Sequence, residues 1–149
     1  LKKYYTWTDI EKLCNVIVGS MGEWRPDYIV GITRGGNIPA TMISHIMDVR
    51  CEALKVSFRD DNSMLESNAW MAEDAERGKN ILIVDDINDT GRTFNWIKED
   101  WSLFGHGDNV RFAVLTENLS SEFTAVSYCG ETVDKSVDNV WLVYPWEKE

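Results

Sequence analysis

The stretch Ile81-Leu-Ile-Val-Asp85-Asp86-Ile-Asn-Asp89-Thr90-Gly91-Arg92-Thr93 decides the fold. Ile81 to Val84 is too short for a helix and β-branched enough for a buried parallel strand. Two adjacent acids close this apolar run, and a polar turn through Gly91 leads to a helix predicted over Thr93 to Phe104. The acids therefore stand at the carboxyl end of a strand, where open α/β sheets place their ligands. The turn brings consecutive backbone N–H groups and the Thr90 and Thr93 hydroxyls to a helix N-terminus, which favours an anion. Asp85 and Asp86 would repel a phosphate lying against them, so they suit hydroxyl groups or a cation further along the same ligand. A phosphate at one end and a diol in the middle describe a ribose 5-phosphate.

Val84 to Thr93 resembles the phosphoribosyl-pyrophosphate (PRPP) signature of type I phosphoribosyltransferases: hydrophobics, two acids, two variable residues, then Asp-Thr-Gly-x-Thr. The resemblance implies an α/β fold with a Rossmann-like parallel sheet and a small hood formed by N- and C-terminal segments. It implies transfer of 5-phosphoribosyl from PRPP to a nucleobase with release of pyrophosphate. In that reading Asp85, Asp86, Asp89, Thr90, Gly91, Arg92 and Thr93 bind PRPP. Asp89 serves as general acid or base for the proton on the purine N7. Mg²⁺ rides mainly on the substrate's phosphates and hydroxyls, with Asp85, Asp86 and Glu147 nearby.

Composition bounds the alternatives. A chain of 149 residues with 44% hydrophobic and 27% charged residues is expected to form one domain, 1–149, with a real core. A net charge of −10 argues against a broad contact surface for nucleic acid. Cys14, Cys51 and Cys129 are odd in number and far apart, with no CxxC pair, and read as reduced, packed thiols. No apolar run approaches the length of a membrane span, and the N-terminus is not signal-like, so a cytoplasmic protein without membrane contact is expected.

Along the chain, Thr8-x-x-Glu11 has the pattern of a capping box, and Ile10, Leu13, Cys14, Ile17, Val18 and Met21 recur at helical spacing. A helix is predicted from about Asp9 to about Glu23. Tyr28 to Ile32 reads as a buried strand ending in Thr33-Arg34-Gly35-Gly36, followed by a helix over Ile38 to Met47 with Pro39 in its first turn. This repeats the strand, glycine turn, helix plan of the central motif. The dinucleotide fingerprint GxGxxG and the phosphate loop GxxxxGK[ST] are both absent. By resemblance, Thr33, Arg34, Gly35 and Gly36 form the pyrophosphate loop. Arg34 offsets charge on the leaving group, and Thr33–Arg34 is a cis non-proline bond.

Ala53 to Phe58 is the next predicted strand. Arg59 to Lys79 is polar and acidic without a sustained period, a long connection of the kind that carries function. The family has a mobile lid at this place, and Ser57 and Ser63 are candidate lid contacts. Val110 to Leu115, Ala125 to Cys129 and Val140 to Tyr144 are predicted strands, with a polar segment, Thr116 to Thr124, after the first. His45 and His106 read as surface or turn residues.

The ending Trp141-Leu-Val-Tyr-Pro-Trp-Glu147 resembles the small 6-oxopurine phosphoribosyltransferases of bacteria and archaea, in which a C-terminal hood segment, here about 117–149, covers the base. The resemblance places Trp141 on the purine face with Leu142 beside it. Those enzymes carry a lysine after the strand ending near Leu115, whereas this chain has Thr116-Glu117-Asn118-Leu119, leaving Asn118 as the base contact. A 6-oxopurine, and with it purine salvage, is the expected substrate and role. A pyrimidine or unusual base, or a non-catalytic nucleotide sensor of the same fold, stays open. A homo-oligomer, dimer or tetramer, is expected by analogy. A haloacid-dehalogenase-like phosphatase would require Asp-x-Asp after its first strand, which is absent.

Overall fold

A computed structural model describes residues 1–56, 63–102 and 105–148, with the side chains of 63–68 left aside. The elements in chain order are β1 (Lys2–Tyr4), α1 (Trp7–Ser20), β2 (Tyr28–Thr33), α2 (Asn37–Met47), β3 (Cys51–Lys55), α3 (Ser63–Glu76), β4 (Ile81–Asn88), α4 (Arg92–Ser102), β5 (Val110–Asn118), β6 (Tyr128–Val133) and β7 (Trp141–Val143). Five strands form one sheet in the order β3-β2-β4-β5-β6, and every neighbouring pair is parallel.

The pleat sends alternate side chains of each strand to opposite faces. Leu82 and Val84 of β4 pack with Ile10, Cys14 and Ile17 of α1 and with Ala40 and Ile43 of α2. Ile81 and Ile83 pack with Phe94, Ile97 and Trp101 of α4 and with Met71, Ala72 and Ala75 of α3. Both faces of the sheet are thus covered, which is why its strands read as continuous apolar runs.

The strand order sets the place of the site. From β2 the chain crosses to β3 on one side, whereas from β4 it continues to β5 and β6 on the other. The connections leaving β2 and β4 diverge, opening a crevice at the carboxyl ends of these two neighbours. The glycine turn after β2 and the acid-rich end of β4 both lie at that switch point. Thr33–Arg34 is a cis peptide, as the resemblance implied.

A small second layer joins the chain ends. β1 pairs with β7 in parallel, with Lys2 opposite Trp141 and Tyr4 opposite Val143. Tyr5 stacks on Tyr144 with centroids 4.9 Å apart, and Tyr144 stacks on Trp146 at 5.1 Å. Trp7 meets Trp146 at a tilt. The Tyr144 hydroxyl donates to Thr116 Oγ1 at 2.9 Å, Thr116 donates to Glu131 Oε2 at 3.0 Å, and Tyr5 donates to the same Glu131 oxygen. This relay fastens the terminal segments to β5 and β6.

Several boundaries differ from the sequence-based expectation. Helix α1 begins at Trp7, and its capping box is Thr6 with Asp9: Thr6 Oγ1 accepts from the Asp9 backbone N–H, and Asp9 accepts from that of Thr6. Thr8 lies inside the first turn. The stretch read as an irregular loop, 59–79, contains α3 over Ser63–Glu76. Among its described side chains the buried ones are Met71, Ala72 and Ala75. Tertiary contacts compensate: Tyr28 donates to Asp74 at 2.8 Å and stacks with Trp70. Ser57, Phe58, residues 59–62 and Phe104 lie outside the described residues, as does the Ser63 side chain.

β4 and β5 both outrun their apolar cores. The ladder continues with Ile87 opposite Thr116 and Asn88 opposite Glu117. There the pairing is polar, with Asn88 Nδ2 donating to Glu117 Oε1 at 2.7 Å. β6 starts at Tyr128, later than expected, and β1 was not expected at all. Three residues, Lys-Lys-Tyr, carry no strand signal until β7 lies beside them.

Candidate active site

Four features meet at the switch point. The first is an anion cradle of about 80 Å³, lined by Asp85, Asp89 and the run Thr90 to Thr93. Gly91 stands at φ +92°, a left-handed conformation that favours glycine. A Cβ there would also lie 2.4 Å from the backbone nitrogen of Phe123. The turn is braced from behind: Glu122 N–H donates to Thr90 O, and Ser121 Oγ donates to the Asn88 side chain. Intrahelical bonding in α4 begins with Asn95 N–H to Gly91 O. The N–H groups of the first turn therefore point out of the helix end toward the cradle.

The second is the acid pair. The two carboxylates are neighbours that interact with each other, yet they border different cavities. Asp85 borders the anion cradle, and Asp86 borders a cavity of about 570 Å³ with Arg34, Gly35, Trp146 and Glu147. Burial pushes Asp85 well above the usual carboxylate range, and the Asp86 charge adds to this. Burial also raises Asp86; hydrogen bonds from Asp85 and the Ile87 backbone offset part of the effect, while Glu147 pushes it up. A cation, or hydroxyls that donate to both, would relieve this cost.

The third is the turn after β2. Gly36 is packed so tightly that an added Cβ would sit 2.4 Å from Val84 O and 2.8 Å from Ile32 backbone atoms. Gly35 lies against the Asp86 carboxylate. Asn37 donates to Thr33 Oγ1 at 3.0 Å, holding the loop onto the start of α2.

The fourth is a cavity of about 170 Å³ under β7, lined by Ile87, Asp89, Lys135, Trp141 and Leu142 with Asp86 and Glu147 at its edge. Trp141 is 64% exposed, so its ring is not core packing, whereas Leu142 is buried. Lys135 Nζ lies 3.2 Å from Asp89 Oδ1.

The structure thus brings together Thr33 to Gly36, Asp85, Asp86, Asp89 to Thr93, Trp141, Leu142 and Glu147. Glu147 faces Asp86 across the larger cavity and accepts from the Tyr144 backbone N–H at 3.1 Å. Asn118, expected against the base, is 5% exposed and already committed. Its Nδ2 donates to Asp89 O at 2.9 Å, and its Oδ1 accepts from Ser120 N–H, Ser120 Oγ and Lys135 N–H. It is a junction that ties the Asp89 turn to the Lys135 turn. Lys135 itself escaped the sequence reading. It sits in the polar turn between β6 and β7, and no local pattern says that this turn folds over Asp89.

Among the described residues, no cluster of three or more His, Cys, Asp or Glu forms a metal cage. The acid pair with Glu147 opposite fits an ion held mostly by a ligand's phosphates and water. The three cysteines are free thiols, and burial pushes all of them above the ordinary thiol range, Cys14 up to about 12. His45 is exposed on α2, and His106 contacts the Gly107 carbonyl. No helix among the described residues is long and apolar enough to cross a membrane.

A phosphoribosyl transferase domain family model matches residues 4–145. A xanthine-guanine phosphoribosyltransferase of Cereibacter sphaeroides is 29% identical over 130 residues, covering 85% of this chain and 71% of its own. A hypoxanthine-guanine phosphoribosyltransferase of Schizosaccharomyces pombe is 23% identical over 186 residues, covering 100% and 90%. Among solved structures, a purine phosphoribosyltransferase from Pyrococcus horikoshii matches with TM-score 0.75 and 26% identity over 99% of this chain and 95% of that one. A Neisseria gonorrhoeae protein solved with bound ppGpp also has TM-score 0.75, at 24% identity, and bears on the fold alone.

Proposed function

The chain belongs to the phosphoribosyl transferase domain family, and from that premise we propose that it transfers 5-phosphoribosyl from PRPP to a 6-oxopurine base, releasing pyrophosphate. One observation carries the reading: Asp89 borders both the anion cradle and the cavity beneath the exposed Trp141. A ligand with its 5-phosphate in the cradle therefore has its anomeric carbon near a flat base under Trp141. The similar proteins bearing purine names support a purine as that base.

Thr90, Gly91, Arg92 and Thr93 hold the 5-phosphate at the α4 N-terminus. Asp85 and Asp86 hold the ribose hydroxyls. Arg34 and the Gly35–Gly36 amides face the pyrophosphate and stabilise its charge as it leaves. Trp141 and Leu142 grip the base as a flat apolar surface. In its N7–H tautomer the base presents the N9 lone pair to the anomeric carbon. As the N9–C1 bond forms, the C1–O bond to pyrophosphate breaks, and N7 passes its proton to the Asp89 carboxylate. Mg²⁺ bound to pyrophosphate and water beside Asp85, Asp86 and Glu147 would neutralise the leaving group's charge.

The test is pyrophosphate release with PRPP and Mg²⁺ against hypoxanthine, guanine, xanthine, adenine, uracil and orotate, with the nucleotide identified by mass. Turnover with an oxopurine is expected. PRPP binding without turnover on any base would instead mark a nucleotide sensor, and no PRPP binding would overturn the reading of the cradle.

A further inference from the structure

We propose that Trp7, at the start of α1, is a positioning residue for the leaving-group side of the site: its ring props Trp146 and so sets where Glu147 stands opposite Asp86. This rests on the function proposed above, which puts pyrophosphate in the cavity beside Arg34.

Three observations carry it. The first is a file of four rings that joins the chain ends. Tyr5 stacks on Tyr144 with centroids 4.9 Å apart, and Tyr144 stacks on Trp146 at 5.1 Å with the planes 5° apart. Trp7 meets the Trp146 ring at 5.9 Å and 50°. Tyr5 and Tyr144 are buried, whereas Trp7 is 54% exposed, so Trp7 closes the file at its solvent end.

The second observation is the turn that carries Trp146. Glu147 N–H donates to Tyr144 O at 3.0 Å, and Tyr144 N–H donates to Glu147 Oε1 at 3.1 Å. The turn is closed on itself, so Trp146 and Glu147 move as one piece. Both line the cavity of about 570 Å³ with Arg34, Gly35 and Asp86. The Glu147 charge reaches Asp86 and helps to raise its pKa. A tilt of the Trp146 ring therefore changes the spacing of the two carboxylates that face the leaving group.

The third is the firmness of the prop. Trp7 is the first residue of α1, where the Thr6–Asp9 capping box fixes the backbone. One turn further on, Ile10, Cys14 and Ile17 anchor the helix in the core. β7, by contrast, is three residues long and ends at Val143, and the turn beyond it takes its place from the rings it meets. Aromatic pairs have preferred geometries, so a ring on a fixed helix end holds its partner in one orientation.

The base side is held separately. Trp141, Leu142 and Tyr144 line the cavity beneath β7, Trp146 does not, and β7 is fixed by its ladder with β1. Loss of the Trp7 ring should therefore be felt by pyrophosphate and not by the nucleotide.

The experiment compares wild type, Trp7→Ala and Trp7→Phe by calorimetry. One titration uses pyrophosphate with Mg²⁺; the other uses inosine 5′-monophosphate, which fills the cradle and the base cavity alone. KM for pyrophosphate in the reverse reaction is the kinetic counterpart. The alanine variant should bind pyrophosphate roughly 3- to 10-fold more weakly, the range of one aromatic pair. Its nucleotide affinity should stay within about twofold, and its KM for pyrophosphate should rise by the same factor as the binding constant. The phenylalanine variant keeps a ring and should return to within about twofold of wild type. If the alanine variant melts too low to titrate, Trp7→Leu, which keeps apolar bulk without a ring face, takes its place. Wild-type pyrophosphate affinity without the ring, an equal fall for pyrophosphate and nucleotide, or a phenylalanine variant no better than alanine overturns the inference and leaves the proposed function standing. A wild type that neither binds pyrophosphate nor releases it from PRPP overturns both.

Discussion

Gly35 and Asp86, from two different crossovers of the sheet, are in direct contact: a Cβ added to residue 35 would stand 2.2 Å from Asp86 Oδ2. The turn after β2 and the acid at the end of β4 are therefore one surface. The neighbouring glycine is blocked by backbone, 2.4 Å from Val84 O. The two positions predict different losses. In Gly35→Ala the obstacle is a side-chain carboxylate that can swing aside, so folding survives and PRPP affinity falls by roughly tenfold or more. In Gly36→Ala the obstacle is the strand itself, and stability falls by about 1–3 kcal/mol. Thermal melts alongside PRPP titration separate the two. Equal behaviour of both variants would refute the distinction.

Asp85 carries a stability cost set by its burial beside Asp86. Its pKa in the folded protein lies above the ordinary 3.8, with burial the first cause. The folded state thus binds the proton more tightly than the unfolded chain. The sign follows: the proton's stabilisation is fully present below the unfolded pKa and is lost as pH rises through the folded one. Asp85→Asn should melt at a higher temperature than wild type at neutral pH and show a flatter decline above pH ~4. Asp86, raised in the same direction, keeps part of the slope. PRPP binding should be lost. A wild-type melting profile in the asparagine variant would show that the buried carboxylate costs nothing.

Asp89 lines the cavity beneath Trp141 and not the one beside Arg34, which is why the proposed function gives it the base proton. Asp89→Asn should lower turnover by about 100-fold or more, the usual range for a general acid or base, while PRPP affinity changes little. Rapid-quench turnover and equilibrium titration give the two numbers. A parallel fall in both, or in neither, would remove the proton-transfer role.

The Tyr144 hydroxyl joins the terminal layer to β5 through Thr116 and Glu131, and Asp86 O lies 3.3 Å away as an alternative acceptor. Tyr144→Phe keeps the stacking with Tyr5 and Trp146 but deletes the donor. It should cost about 1 kcal/mol, a typical net hydrogen bond. Denaturant unfolding measures it, and a loss of several kcal/mol would mean that the relay acts cooperatively rather than as one bond.

Some errors of the sequence reading share a cause. The apolar run Ile81–Val84 marked where β4 is buried but not where it ends, because the pairing of Asn88 with Glu117 is polar. Helix α3 was hidden for the complementary reason. Its inward side chains include alanines, and it is supported by Tyr28 from β2.

The sequence by itself determined the parallel α/β plan, the anion cradle at Thr90–Thr93, the acid pair and the glycine turn at Arg34–Gly36. Each of these is a local matter: strand runs, a helix N-terminus and a glycine allowing close approach are all written within about ten consecutive residues. Only the tertiary structure decided which side chains line the cavity beneath Trp141. Asn118, expected from the sequence to contact a base, hydrogen-bonds both the Asp89 and the Lys135 turns. Lys135 arrives over Asp89 from the β6–β7 turn, and that meeting depends on how β5, β6 and β7 lie across one another. A cation's reach is set by the packing of the strands that carry its turn, and no stretch of residues around it records that distance.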